Sequence, residues 1–374
     1  MKSARFDRFS IHFSKRAPGL TGAVFCASFL FWSASCGKKG GTPDWDTPGG
    51  SAPAVEASTP AKPDPAPVPE PEPEPMPASE APPADTTEPA STDPASASAD
   101  GLRFIGYNVE NWLTMDRFDE KEYKTLKDSP KPDSEKKALI GIIVKNSPDI
   151  VGLCEIGDAK DFAEIQESLK TAGLNLPHSH YTGGSDPTRH LAMLSRFPII
   201  STAKPTETEY QMQGQTYAIN RGILDATIEA RGKKYRFLGV HLKSKREVDG
   251  IDQEEMRIHE ARLLRRHVDS ILQADADARL VVYGDFNDTR ATKAFKAVTG
   301  TYKDPGYLTA IPFKDSRGEA WTHYWALHDI YSRIDFVAVS RALRPEVDFR
   351  ASHIIDDATW NDASDHRPLM AIFK

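Results

Sequence analysis

The run Leu280-Val281-Val282-Tyr283-Gly284-Asp285-Phe286-Asn287 decides how the rest of the chain is read. Its apolar start reads as a short buried strand. Gly284 permits a tight turn directly off that strand, and Asp285 and Asn287 alternate around Phe286. On extended backbone, positions two apart face the same way, so an acid and an amide converge on one reacting group. Alone, the stretch fits an ordinary Asx turn equally well.

Moving outward, the same pattern recurs. Strands are expected at Leu102–Tyr107, Asp149–Leu153, Leu191–Leu194, Ile223–Ile228, Tyr235–Val240, Leu280–Tyr283, Ile334–Val339 and Leu369–Phe373, all short and bounded by Gly, Asp or Pro. Helices are expected after Ser134, Asp158 and Asp252. The last opens with capping-box spacing, Asp252 to Glu255, and carries the apolar stripe Met256, Leu263, Leu264, Val268, Ile271 and Leu272. Strands interspersed with helices argue an α/β fold. Several strand ends deliver a polar residue at once: Asn108, Glu155, His241, Asp285, Asp335 and the pair Asp365-His366. Strand C-termini are where such sheets assemble sites.

The N-terminal part has a different composition. Residues 1–36 carry Arg5, Arg8, Lys15 and Arg16, then an apolar run from Gly19 to Trp32, then Ser33-Ala34-Ser35-Cys36. That order predicts a secretory signal, and the small residues before Cys36 resemble the lipobox of bacterial lipoproteins, with Ser33 where an aliphatic residue is usual. Residues 37–99 form a Pro/Glu/Ala-rich linker; positions 41–99 alone hold 16 of the 28 prolines and 11 acids against one lysine. Too few apolar residues are present to offset ordering entropy, and the fully extended segment would reach on the order of 180 Å. Residues 100–374 then form one catalytic domain with a net charge of −3, which excludes a globally basic nucleic-acid binder. Beyond the head, Cys154 has no cysteine to pair with, and its apolar neighbours predict a buried, inert thiol.

Each polar strand end is weak evidence by itself: Asn108 suits a turn, Glu155 a helix dipole, and His241 a satisfied buried histidine. Together they resemble the endonuclease/exonuclease/phosphatase superfamily. The resemblance rests on Gly106-Tyr107-Asn108-Val109-Glu110-Asn111, Leu153-Cys154-Glu155-Ile156, His241-Leu242-Lys243-Ser244 and Gly284-Asp285-Phe286-Asn287. Ile334-Asp335-Phe336, Ser364-Asp365-His366-Arg367-Pro368 and Leu194-Ser195-Arg196-Phe197-Pro198-Ile199 complete it, in family order.

The resemblance implies a four-layer αββα sandwich of two mixed sheets and metal-dependent phosphoester hydrolysis. Glu155 would be the main ligand of Mg²⁺ (or Mn²⁺ or Ca²⁺), with Asn108 and Asp365 beside it; oxygen ligands suit such hard ions. Asp285 would orient or deprotonate the attacking water and Asn287 donate to phosphoryl oxygens. His366, oriented by Asp335, and His241 would serve as the two histidines, with His366 titrating from its ordinary value near ~6.5. Arg221 and Lys243 are weaker candidates for substrate phosphate, and Arg196 reads as a structural ion pair. Glu110 departs from the Asn-x-Asp of abasic-site enzymes, which leaves its metal role in doubt. Substrate stays open among a nuclease or phosphodiesterase acting on DNA, a sphingomyelinase-like or inositol-phosphate phosphoesterase, and a non-catalytic tethered binding module. A zinc site from His323, His328 and His353 lacks a zinc spacing. Trp321, Tyr324 and Trp325 suit core packing, base stacking or an apolar leaving-group pocket. All of this requires Glu155 and His366 to meet.

Overall fold

The eight expected strands and three expected helices are all present in the computed structural model, which describes residues 101–119, 123–246 and 250–374. The readings of residues 1–36, of Cys36 and of the linker at 37–99 lie outside the described residues. Two six-stranded sheets organise the chain. One runs, edge to edge, His353–Ile354, Leu369–Phe373, Leu102–Trp112, Ile150–Ile156, His190–Ser195 and His178–Thr182. The other runs Thr309–Ala310, Asp335–Val339, Leu280–Asp285, Lys233–His241, Ile223–Ala230 and Ile199–Thr202.

Both sheets are mixed. In each, one central pair is parallel, Leu102–Trp112 with Ile150–Ile156 and Lys233–His241 with Leu280–Asp285, and the neighbours are antiparallel. Parallel neighbours need a crossover, supplied by the helices Asp133–Lys145 and Gln253–Ala274. A crossover of this kind returns the chain so that both strands end at the same edge. Each sheet therefore presents two strand ends on one rim.

Alternation along the strands builds the layers. Phe104 points between the sheets with Cys154, Met193, Phe237, Val281 and Tyr283. Its neighbour Ile105 points outward to Leu139, Ile143, Ile165 and Leu169 of the helices Asp133–Lys145 and Ala159–Thr171. On the far side Leu238 and Val282 meet Leu263, Leu264, Val268 and Ile271 of the long helix. Three cores separate four layers, and the αββα sandwich is established. Asp252 caps the long helix through Oδ1, which accepts from the Glu255 amide at 3.0 Å. The reciprocal capping box forms instead at Asp158 and Asp161.

The sheets approach closely at Tyr283. A Cβ on Gly152 would lie 2.2 Å from its ring, and one on Gly239 2.6 Å from its hydroxyl. Cys154 is buried and unpaired, with Sγ 3.4 Å from the Val240 carbonyl of the opposite sheet, as its apolar setting predicted.

Candidate active site

The rim where the two parallel pairs end collects the polar residues. Register places His241 beside Asp285, and Asp285 beside Asp335, in one row across three strands. Gly284 makes the turn possible: its φ is +134°, and a Cβ would sit 1.9 Å from the Val240 carbonyl oxygen. From the other sheet, Asn108 Nδ2 donates to Glu155 Oε1 and to Asp285 Oδ2, each at 3.2 Å. That amide stitches the two sheets at the site. Glu155 Oε2 also accepts from the Asn111 amide at 3.0 Å.

Non-glycine residues with left-handed backbone cluster here: Glu110, Asn111, Glu155 and Asn287, with φ of 48°, 57°, 67° and 50°. Such conformations cost energy and persist where the surroundings force them, as at functional sites.

The histidines are driven apart electrically. His366 Nδ1 lies 2.8 Å from Asp335 Oδ2, and its Nε2 faces Asp285 Oδ2 at 3.9 Å. Burial opposes its charge, but Asp335 and Asp365 prevail and raise it well above the ordinary value near 6.5. His241 Nε2 lies 3.5 Å from Asp285 Oδ2 and 3.8 Å from Glu155 Oε1. Burial, followed by the fields of Arg221 and His366, holds His241 well below its usual range. The two imidazoles are thus shifted in opposite directions. Asp285 is pushed up to about 7 by burial and by Asp335.

Asn287 Nδ2 donates to Leu242 O at 3.0 Å and to Asp285 Oδ2 at 3.1 Å, so the amide fixes the carboxylate. Asp365 gathers with His323 and His366, at 3.6 and 3.8 Å, while Glu155 stays with Asn108 and Asn111. Glu110 Oε2 accepts the Asp365 amide at 3.0 Å. Burial and the Asp365 charge push Glu110 up to about 7, and its hydrogen bond to the Asp365 amide braces that residue.

His323 gave no local signal in the sequence. Its strand, His323–Trp325, bonds to the Asp365 segment, with the Tyr324 amide donating to Asp365 O at 3.0 Å. His328 packs on Trp325 and His353 Nδ1 meets Ala351 O, so the three histidines of the zinc reading are dispersed. Trp321 and Tyr324 pack with Tyr331 and Trp360, while Trp325 is exposed. Arg196 pairs with Asp149 at 3.1 Å, as a structural ion pair should. Arg221 is buried against Asp186, and Lys243 is half-buried near it. A groove of about 1040 Å³ lined by Arg265, Asp269, Lys296 and Arg341 lies away from these residues and contains no histidine or cysteine.

The donor set fits a hard divalent cation. Four carboxylates, Glu155, Asp285, Asp335 and Asp365, share one rim with His241 and His366. Asp365 Oδ1 is buried with no hydrogen-bond partner among the described residues. Two sets of side chains, His323 with Asp365 and His366, and Asp285 with Asp335 and His366, bring ligand atoms within 4.8 Å of one another.

Residues 108–329 match the model of the Endonuclease/Exonuclease/phosphatase family. A comparison with curated protein sequences finds no match. Among solved structures, the catalytic domain of human Nocturnin superposes with a TM-score of 0.51 at 18% identity, covering 73% of this chain and 94% of that one. The 3′ phosphatase NExo from Neisseria, bound to a product DNA hairpin, gives 0.51 at 16% identity, covering 73% and 99%. Sphingomyelinase C from Streptomyces griseocarneus gives 0.50 at 14% identity, covering 73% and 99%. At these identities the likeness is one of fold.

Proposed function

The chain belongs to the endonuclease/exonuclease/phosphatase family, and from that membership we propose that it is a divalent-metal-dependent phosphodiesterase, most simply a nuclease. The observation that carries the reading is the opposed pair of histidines about Asp285. A phosphodiester repels an incoming hydroxide, and its transition state spreads charge over the equatorial oxygens. A carboxylate poised near neutrality accepts a proton from water, and a cationic imidazole beside it stabilises or protonates departing oxygen.

In this reading Asp285 takes the proton of the attacking water, held by Asn108 and Asn287. His366, kept cationic and oriented by Asp335, stands toward the leaving oxygen. Neutral His241 donates a hydrogen bond to the phosphoryl group. Glu155, Asn108 and Asp365 would hold Mg²⁺ or a similar ion, which supplies charge neutralisation and direct hold on a phosphoryl oxygen. The same reading takes residues 1–36 as an export signal and Cys36 as a lipid attachment site.

A second reading, a lipid phosphoesterase, is favoured by one observation. The hairpin His323–Trp325 with Ile330–Ser332 leaves Trp325, Leu327, Ile330 and Tyr331 exposed next to Asp365. Exposed apolar side chains beside a site suit an apolar substrate body.

The test is turnover of plasmid DNA, bis(p-nitrophenyl) phosphate, sphingomyelin vesicles and inositol phosphates by the purified protein, with Mg²⁺ or with EDTA. Nicking of plasmid that EDTA abolishes and that Asp285→Ala lowers at least ~10³-fold is expected, a general base and its water being worth about this much. Turnover of sphingomyelin alone would transfer the assignment to the second reading. Metal binding without turnover of any ester would leave a tethered binding module.

A further inference from the structure

Beyond His241 lies a group of cations that the proposed chemistry leaves unused. Arg189 and Arg221 reach the same oxygen, Asp186 Oδ2, at 3.9 and 3.3 Å, so one carboxylate faces two guanidinium groups. The Arg221 side chain is only 8% exposed; its Nε faces Asp186 Oδ2 without an aligned hydrogen bond, and its Nη1 has no hydrogen-bond acceptor among the described residues. A buried guanidinium short of acceptors is costly, and an anion is the partner that would relieve it. Lys243 stands close enough to Arg221 that burial and this neighbour together hold its ammonium below the usual range.

The cluster is built into the fold. The segment around Gly183-Gly184 packs against the one around Gly222 so tightly that only glycine fits: a Cβ on Gly184 would lie 2.2 Å from Ile219 O, and one on Gly222 2.4 Å from Gly183 O. The Asp186 amide donates to Asn220 O at 2.8 Å. Glu260, fully buried on the long helix, accepts from the Asn220 amide at 2.8 Å and from the Lys243 amide at 2.6 Å, locking both loops. Arg189 Nε donates to Asn111 Oδ1 at 2.8 Å, and the Asn111 amide holds Glu155. Arg189 is thus fixed relative to the reacting centre.

Position separates this cluster from the bond that is cut. Asp335, Asp285 and His241 form the row, and the next strand pairs Ile223 with Val240, so Arg221 enters one strand further out. Two strand spacings, about 10 Å at the backbone, lie between Asp285 and Arg221. Among the described residues neither Arg189 nor Arg221 bonds to Asp285, Asn108 or His366.

We infer that Arg189, Arg221 and Lys243 form a second anion subsite, which accepts a further phosphate group carried by the substrate next to the scissile phosphoester. Planar guanidinium forks match phosphate oxygens two at a time, and Lys243 adds a point charge. The substrate class is then a phosphoester bearing a neighbouring phosphate, such as an internal linkage of a nucleotide chain. This rests on the phosphoester reading above.

Two esters with the same chromophore test it in the full-length protein with Mg²⁺: thymidine 5′-(p-nitrophenyl phosphate) and its 3′-phosphorylated counterpart. At about 150 mM salt, which screens long-range attraction, the 3′-phosphate is expected to raise kcat/KM at least ~10-fold, mostly through KM. In Arg189→Gln that ratio should fall toward one, and in Arg189→Lys it should stay between. Turnover of both esters with a ratio near one, or a ratio that Arg189→Gln leaves unaltered, would overturn the subsite while the phosphoester reading stands. Should neither ester turn over, calorimetric affinity for thymidine 3′,5′-bisphosphate against thymidine 5′-phosphate, in wild type and Arg189→Gln, gives the same ratio. A bisphosphate preference lost in the variant then supports the subsite, and its absence overturns it.

Discussion

Asp335 is the clearest case of one residue setting the state of another. It holds His366 Nδ1 at 2.8 Å and contributes most to raising that imidazole. A raised folded value means the charged form is favoured below it, so both activity and the stability from this pair are present at neutral pH and fade as pH rises through that value. Asp335→Asn removes the negative charge. The alkaline limb of the kcat/KM profile should then move down toward the ordinary histidine value of about 6.5, and a profile from pH 5 to 10 would show it. An alkaline limb unmoved by the substitution would take His366 out of the proton transfers. At this scale much was legible, because Asn108, Glu155, His241 and Asp285 each close an apolar run of strand and Asp335 opens one, so all lie at a sheet rim. Arg189, His323 and Glu260 were not. They sit in a loop, in a three-residue strand and on a helix face, with no periodic signal, and each is tied to the site by a contact more than 15 positions away.

Among elements, the contact between the two sheets is where sequence pattern and packing part company. Alternation says which face of a strand is buried, and it identified the strands on both sides. It does not say how near the opposing sheet comes, and that distance is set at Gly152, where the Tyr283 ring occupies the space of a missing side chain. Gly152→Ala forces backbone and an aromatic ring apart, and overpacking of this kind costs about 1–3 kcal/mol. The Tyr283 hydroxyl is buried with no hydrogen-bond partner among the described residues, so Tyr283→Phe should be neutral or slightly stabilising. Urea denaturation of the two variants checks both. A Gly152→Ala protein as stable as wild type would mean the sheets can slide to accommodate a methyl group. The short strands Thr309–Ala310 and His353–Ile354 at the sheet edges escaped the sequence reading, since two residues carry no period.

For the molecule as a whole, the composition of the first hundred residues separates cleanly from that of the described part, yet the fate of that segment is a matter for cells. If Cys36 carries lipid, the full chain made in a bacterial host should sediment with membranes and Cys36→Ser should release it to the soluble exported fraction. Immunoblots of fractionated cells decide it; retention of the Cys36→Ser chain in membranes would mean the apolar run itself anchors the protein. The four layers and their order were expected from family resemblance, whereas strand alternation alone supported only the broader α/β class. Which strands share a sheet depends on pairings far apart in sequence, such as Leu102 with Phe373.

That last pairing has a practical outcome. Leu102 stands at the start of its strand and Asn108 six residues on, so about 20 Å of extended backbone separates the point of entry from the reactive rim. Phe373 pairs with Leu102, so the first and last strands of the described residues meet at the foot, opposite that rim. A probe attached at that foot would leave the reactive rim clear.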